Sequence, residues 1–164
     1  MSNRIDIRLG VALASGRTIL APFVTVGFPD VDTSIEVVAA ILEAGADLVE
    51  LGVPFSDPLA EGPTIQAASF RALQHGVNTA LCLDAVRRLR ERNADAPLLL
   101  MGYYNPFLRY GLGRFVEDAA AAGTDGLIVA DLPGEEAGPL HELCRGRGLH
   151  LIPLLAPTST DERI

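Results

Sequence analysis

Glu50 lies within the apolar run Val49-Glu50-Leu51-Gly52-Val53, and two further acids, Asp57 and Glu61, follow in the next loop. A carboxylate in a buried strand is costly unless it finds a partner or shifts its pKa. Apolar neighbours raise such a pKa toward neutrality, which suits general acid/base catalysis. The structural alternative is a carboxylate satisfied by backbone N–H groups or an arginine. The loop Pro54-Phe55-Ser56-Asp57-Pro58-Leu59-Ala60-Glu61-Gly62-Pro63 carries three prolines in ten positions. Prolines stiffen it, so it can hold Glu61 back over a strand end. Two carboxylates in different settings suit paired acid/base work; the bland alternative for Asp57 and Glu61 is a pair of solvated turn residues.

Other candidates are few. Tyr103, Tyr104 and Asn105 stand before Pro106 and can wall a pocket for a flat apolar ligand, or simply pack. Asp131 precedes Leu132-Pro133-Gly134 and serves a site or caps the next helix. His75, His141 and His150 are scattered and read as surface or helix-end residues. Cys82 and Cys144 have no metal-type spacing and read as small core residues. No glycine-rich phosphate loop of Rossmann or P-loop type is present.

These residues must be positioned by regular elements. Apolar runs of strand length alternate with Ala-rich segments of helical period. Strands are predicted over Ile19–Val26, Asp47–Val53, Leu98–Tyr104, Gly126–Ala130 and Leu149–Leu155. Helices are predicted over Val31–Glu43, Thr64–Gln74, Thr79–Arg92, Gly113–Ala122 and Glu135–Arg145. Two helix ends share a tail, Ala44-Gly45-Ala46-Asp47 and Ala122-Gly123-Thr124-Asp125, whose glycine supplies a left-handed turn into the next strand. The βα repeat predicts a parallel sheet with helices outside it, in one domain over residues 1–164. A doubly wound sheet and a (β/α)8 barrel both fit that order. In either, function gathers at the C-terminal ends of the strands, where Glu50, Asp57, Glu61, Tyr103 and Asp131 fall.

The net charge of −8 supplies no basic cluster for a nucleic acid. Arg87, Arg88, Arg90 and Arg92 share a helix with Glu91 and read as a solvated face. No apolar run reaches the ~18 residues of a membrane span, and the start has no signal-peptide core, so a cytoplasmic location is expected. Near the end, Ser159-Thr160-Asp161-Glu162 has the form of a capping box. A box opening a helix so close to Ile164 predicts a barrel cut after its fifth strand, against the usual ~250 residues and eight strands.

The segment Glu50-Leu-Gly-Val-Pro-Phe-Ser-Asp-Pro-Leu-Ala-Glu-Gly-Pro-Thr-Ile-Gln66 closely resembles the signature of the tryptophan synthase alpha subunit family. Pro22-Phe-Val-Thr-Val-Gly27, Met101-Gly-Tyr-Tyr-Asn-Pro106 and Val129-Ala-Asp-Leu-Pro133 add shorter matches. The resemblance implies a TIM barrel, incomplete here, with the first five strands of eight. It implies retro-aldol cleavage of indole-3-glycerol phosphate to indole and glyceraldehyde 3-phosphate. It gives Glu50 the acid/base role and Glu61 that of a second carboxylate facing the indole N–H. Phe23, Met101, Tyr103 and Leu154 become substrate-binding residues, and Asp57, Pro58 and Leu59 a partner loop. The implied partner is a beta subunit carrying pyridoxal phosphate, in an alpha2beta2 assembly; no cofactor or metal is implied for this chain. The family's second carboxylate is usually aspartate, so Glu61 predicts lowered activity. The loops that hold the substrate phosphate come after later strands, so these residues alone are expected to turn over little. A non-catalytic alpha-like activator of a beta-type partner is the alternative. Another barrel enzyme for a phosphorylated sugar-like substrate is a third reading, which the long signature disfavours.

Overall fold

The apolar runs bounded by glycine and aspartate become five short strands, all parallel. In the computed structural model, which describes residues 3–160, these are β1 Phe23–Thr25, β2 Val49–Gly52, β3 Leu98–Gly102, β4 Gly126–Val129 and β5 His150–Ile152. They are shorter than the predicted runs; Tyr104, for example, already opens a helix and Ala130 a turn. The helices are α1 Arg4–Ala14, α2 Val31–Glu43, α3 Pro63–Gln74, α4 Thr79–Arg92, α5 Tyr104–Tyr110, α6 Leu112–Ala122 and α7 Gly138–Gly146. Asp30 and Asn78 cap α2 and α4 through their side chains, so local sequence places those starts.

Three elements depart from the sequence reading. The segment Glu135–Arg145 is not one helix: a short 3-10 turn, Gly134–Glu136, precedes α7, whose first turn holds Pro139. Helix α5 starts within the predicted strand end and takes Pro106 in its first turn, where a missing N–H costs nothing. Helix α1 has too few apolar contacts to stand out in sequence; it buries Ile5 and Ala12 while Ile7, Val11 and Leu13 stay exposed.

Strand order separates the two candidate architectures. The sheet runs β1-β2-β3-β4-β5, each strand beside its predecessor. A doubly wound sheet reverses its order and carries helices on both faces. Here the outward residues Val49, Leu51, Leu98, Leu100, Leu127 and Val129 join one apolar core with residues of α2, α4, α6 and α7. The other face gathers Leu48, Leu99 and Ile128 in a second cluster, with Met101 and Ile152 against it and Ile5 of α1 entering from the strand starts. The sheet is thus an arc of a barrel, with an inner wall and an outer helical layer. Both faces are buried, so the strands lack a period-two alternation.

Each repeated glycine–aspartate tail builds the same clamp. The Asp47 N–H donates to the Leu20 carbonyl (3.0 Å), and the Asp47 carboxylate accepts the Leu20 N–H (2.9 Å). The Asp125 N–H donates to Leu98 (2.8 Å), and its carboxylate accepts the Leu98 N–H (2.8 Å). Both aspartates are buried and ion-paired: Asp47 with Arg17, Asp125 with Arg4 and Arg90 at 2.8 Å each. Arg90 therefore departs from the solvated face predicted for its helix. Its side chain is 14% exposed and also donates to the carbonyls of Gly123, Asn93, Ala94 and Ala96. Arg87, Arg88 and Arg92 do lie on the surface, paired with Asp84, Asp32 and Glu36. His150 lies in a predicted strand with its side chain at the surface, paired with Asp6 of α1 at 2.9 Å.

Two stability predictions follow from the clamps. Asp125→Ala leaves the largely buried Arg90 guanidinium without its carboxylate and is expected to cost about 3–5 kcal/mol in urea unfolding. The Arg17 hydrogen bond, then the Leu20 N–H, hold the Asp47 pKa down from 3.8 to about 2. A depressed carboxylate adds stability that is present above the unfolded pKa and lost as pH falls through the folded one. Asp47→Asn is expected to weaken the protein at neutral pH and to flatten its acid-unfolding limb between about pH 4 and pH 2.

Candidate active site

Register decides which residues meet. Phe23, Glu50, Leu99, Gly126 and His150 pair in sequence across the five strands, as do Thr25, Gly52, Met101 and Ile128 one step on. Leu99 and Ile128 belong to the inner cluster, so the strand alternation turns Glu50 to the inner wall. Gly52 is what lets Phe23 lie there: a Cβ on Gly52 would collide with the tip of the Phe23 ring. Gly126 similarly admits Ile5, whose Cδ1 lies 3.2 Å from where a Cβ would stand.

Glu50 is half-buried, and its carboxylate makes no hydrogen bond or ion pair among the described residues. Burial alone raises its pKa. The alternative of a carboxylate satisfied by an arginine or by backbone N–H groups is thereby removed for the described residues. Beside it stands a residue that sequence reasoning missed. Thr25 pairs with Gly52 on the same wall and is 6% exposed, and its hydroxyl has no hydrogen-bond partner among the described residues. The sequence signal is a polar residue two positions after Phe23 inside an apolar strand.

A second cluster forms above the wall. The Tyr103 hydroxyl accepts the Ala60 N–H at 2.9 Å, and the Phe55 and Tyr103 rings lie 5.2 Å apart, tilted by 33°. The loop is also folded on itself: Glu61 N–H to Pro58 carbonyl at 3.0 Å, Leu59 N–H to Asp57 carbonyl at 2.9 Å. Gln66 Nε2 donates to the Glu61 carbonyl, and Ser56 Oγ to the Asp57 carboxylate. Glu61 is half-buried, and its carboxylate too has no hydrogen bond or ion pair among the described residues. Burial, then the charges of Glu61 and Asp131, push the Tyr103 pKa up, while the Ala60 hydrogen bond opposes them. Both carboxylates thus lie within electrostatic reach of that hydroxyl. Leu59 stands at the loop tip, 91% exposed.

The remaining candidates separate. Asp131 accepts the Tyr104 N–H at 2.7 Å, so it caps α5 behind it rather than the helix ahead. Tyr104 and Asn105 belong to α5. Leu154 is 55% exposed and lines a cleft of about 360 Å³ with Leu132, Pro133, Pro153 and Leu155. Cys82 and Cys144 are buried, with thiol pKa values pushed by burial to about 12 and about 11, which makes them inert core residues. Ser159 closes a turn with Ala156, while Asp161 and Glu162 of the predicted capping box lie outside the described residues. Among the described residues no cluster of three or more His, Cys, Asp or Glu side chains is placed to hold a metal, and no helix is long and apolar enough to cross a membrane.

Comparison with known proteins bears on this geometry. The sequence profile described as tryptophan synthase alpha chain matches residues 10–164. The tryptophan synthase alpha chain of a Roseiflexus species is 56% identical over 162 residues, which is 99% of this chain and 62% of that protein. That of Chloroflexus aggregans is 53% identical, over 99% of this chain and 61% of the relative. Among solved structures, tryptophan synthase subunit alpha from Legionella pneumophila superposes with a TM-score of 0.97 at 41% identity, over 99% of this chain and 62% of that one. A tryptophan synthase structure from M. tuberculosis gives 0.93 at 39% identity, over 99% and 65%. The chain spans about 62% of the length of the relatives it matches. The inner-wall carboxylate, the stiff acidic loop and the barrel arc sit on a chain that belongs to the tryptophan synthase alpha chain family.

Proposed function

We propose that this protein is a lyase of tryptophan biosynthesis that cleaves indole-3-glycerol phosphate to indole and glyceraldehyde 3-phosphate, with Glu50 as the acid/base. The observation that carries the reading is a half-buried carboxylate on the inner wall, within β2, that has no partner among the described residues and has its pKa raised by burial. Burial shifts the carboxyl toward the range in which one group can both give and take a proton. In the reaction, indole C3 gains a proton and becomes an indolenine cation. The side-chain hydroxyl then loses its proton, its oxygen forms the aldehyde carbonyl, and the C–C bond electrons return to the indole ring. One proton enters and one leaves, so a single carboxylate can serve both transfers. The Glu61 carboxylate accepts a hydrogen bond from the indole N–H and stabilises the cation. Phe23 and Met101 supply the apolar inner wall, and Leu154, exposed after β5 in this structure, is assigned to the same substrate pocket.

The protonated indole ring is itself the electron sink and nothing changes oxidation state overall, so the cleavage needs no cofactor in this chain. Indole is a small apolar product that suits direct transfer to a partner. We assign that partner as a beta chain with pyridoxal phosphate, in a cytoplasmic alpha2beta2 assembly. The stiff loop with Asp57, Pro58 and the exposed Leu59 is the docking element. A leucine held out in water at the tip of a braced loop supports that role.

Two measurements test the reading on the protein at its native length. Glu50→Gln is expected to lower kcat at least ~100-fold with KM little changed. A raised carboxylate pKa means that the native state binds more protons, so stability falls as pH rises through the window between the unfolded and folded values. Removing the charge is therefore expected to raise Tm at neutral pH. Retained turnover in that variant overturns the assignment. Glu61→Asp shortens the reach by about 1 Å, a displacement that can change rate by ~100-fold, and is expected to raise turnover; an unchanged or lower kcat means that the loop already places Glu61 correctly.

A further inference from the structure

We infer that Tyr103 is a positioning residue that ties the acidic loop to the barrel wall and thereby sets where the Glu61 carboxylate stands. The inference rests on the proposed role of Glu61 and deepens it.

The loop's other hydrogen bonds are local. Glu61 and Leu59 bond to Pro58 and Asp57 within the loop, and Gln66 reaches back from the first turn of α3. Among the described residues, the Ala60 N–H to Tyr103 bond is the one hydrogen bond from residues 54–62 that reaches beyond the loop and α3, and it spans 43 positions. It falls on the residue directly before Glu61, so it fixes the backbone from which the carboxylate projects. The Phe55 ring against Tyr103 braces the other arm of the same loop.

Tyr103 is itself held. It sits between the end of β3 and the start of α5, whose first N–H is capped by Asp131 at 2.7 Å. It is 6% exposed, so little of its ring is left to face a substrate. Burial and the nearby charges of Glu61 and Asp131 keep the phenol protonated through the neutral range. The hydroxyl therefore persists as an acceptor for Ala60 and keeps a proton of its own to offer the loop. A side chain so placed acts through Glu61 and not by touching the reacting atoms.

Tyr103→Phe keeps the ring contact and deletes the acceptor. In the protein at its native length, the Ala60 amide is expected to exchange with solvent about 5- to 10-fold faster, while the β2 amides stay protected. With indole-3-glycerol phosphate, kcat is expected to fall about tenfold with KM within about threefold. Added to Glu61→Gln, Tyr103→Phe is expected to bring no further loss, because the two act as one unit. A loss confined to KM, losses that multiply in the double variant, or an unchanged Ala60 amide each overturn the inference. If the unsubstituted protein fails to cleave the substrate, the functional reading falls, and the Ala60 amide alone then decides whether Tyr103 holds the loop.

Discussion

A parallel strand buried on both faces has no tolerance for a shift of register, because one residue of slip turns every side chain to the opposite face. That constraint governs this protein. A slip in β2 would drive Glu50 into the apolar layer under α2 and α4 and turn Leu51 to the inner wall. The aspartate clamps at the strand starts oppose such a slip. Each joins the backbone N–H and the carboxylate of the aspartate ahead of one strand to the carbonyl and N–H of a single residue, Leu20 just before β1 or Leu98 at the start of β3. Their arginines neutralise the buried charge, so the clamp is held by ion pairing and hydrogen bonding together.

The clamps and the candidate site lie at opposite ends of the same strands. The starts are closed by charged pairs and by α1, which sends Ile5 into the inner wall. Farther along, Glu50 within β2 and Glu61 in the loop after it have carboxylates without partners among the described residues. This division follows from energetics. A paired buried carboxylate contributes to the fold, whereas an unpaired one weakens it and is retained where its raised proton affinity is of use. Asp47, just ahead of β2, and Glu50, within it, stand three residues apart, and their pKa values are displaced in opposite directions for this reason.

The loop after β2 solves a related problem. It must keep a fixed shape without burying its own backbone. Prolines limit its freedom, self-contacts fold it, and Tyr103 ties it to the wall. Phe55 packs inward on Tyr103 while Leu59 points out, so one short loop presents a face to the site and a tip to solvent.

Much of this was legible in the chain. Helices α2 and α4 have side-chain caps and steady apolar periods, so their bounds could be read residue by residue. The out-of-place Glu50 could be seen because a carboxylate in an apolar strand is rare on energetic grounds alone. The five βα units announced a parallel sheet, since local periodicity is set by local sequence. What the sequence left open depends on contacts between residues far apart in the chain. Periodicity is the same for a doubly wound sheet and a barrel; only the order of strand pairing and the side on which helices pack tell them apart. Arg90 looked like its exposed neighbours until Asp125, just ahead of β4, drew it inward. Tyr103 read as a pocket wall, but its hydroxyl meets Ala60 across 43 positions. Local sequence determined the elements and the unusual carboxylate; tertiary structure decided which buried charges are paired, because a partner for a buried charge can come from any part of the chain.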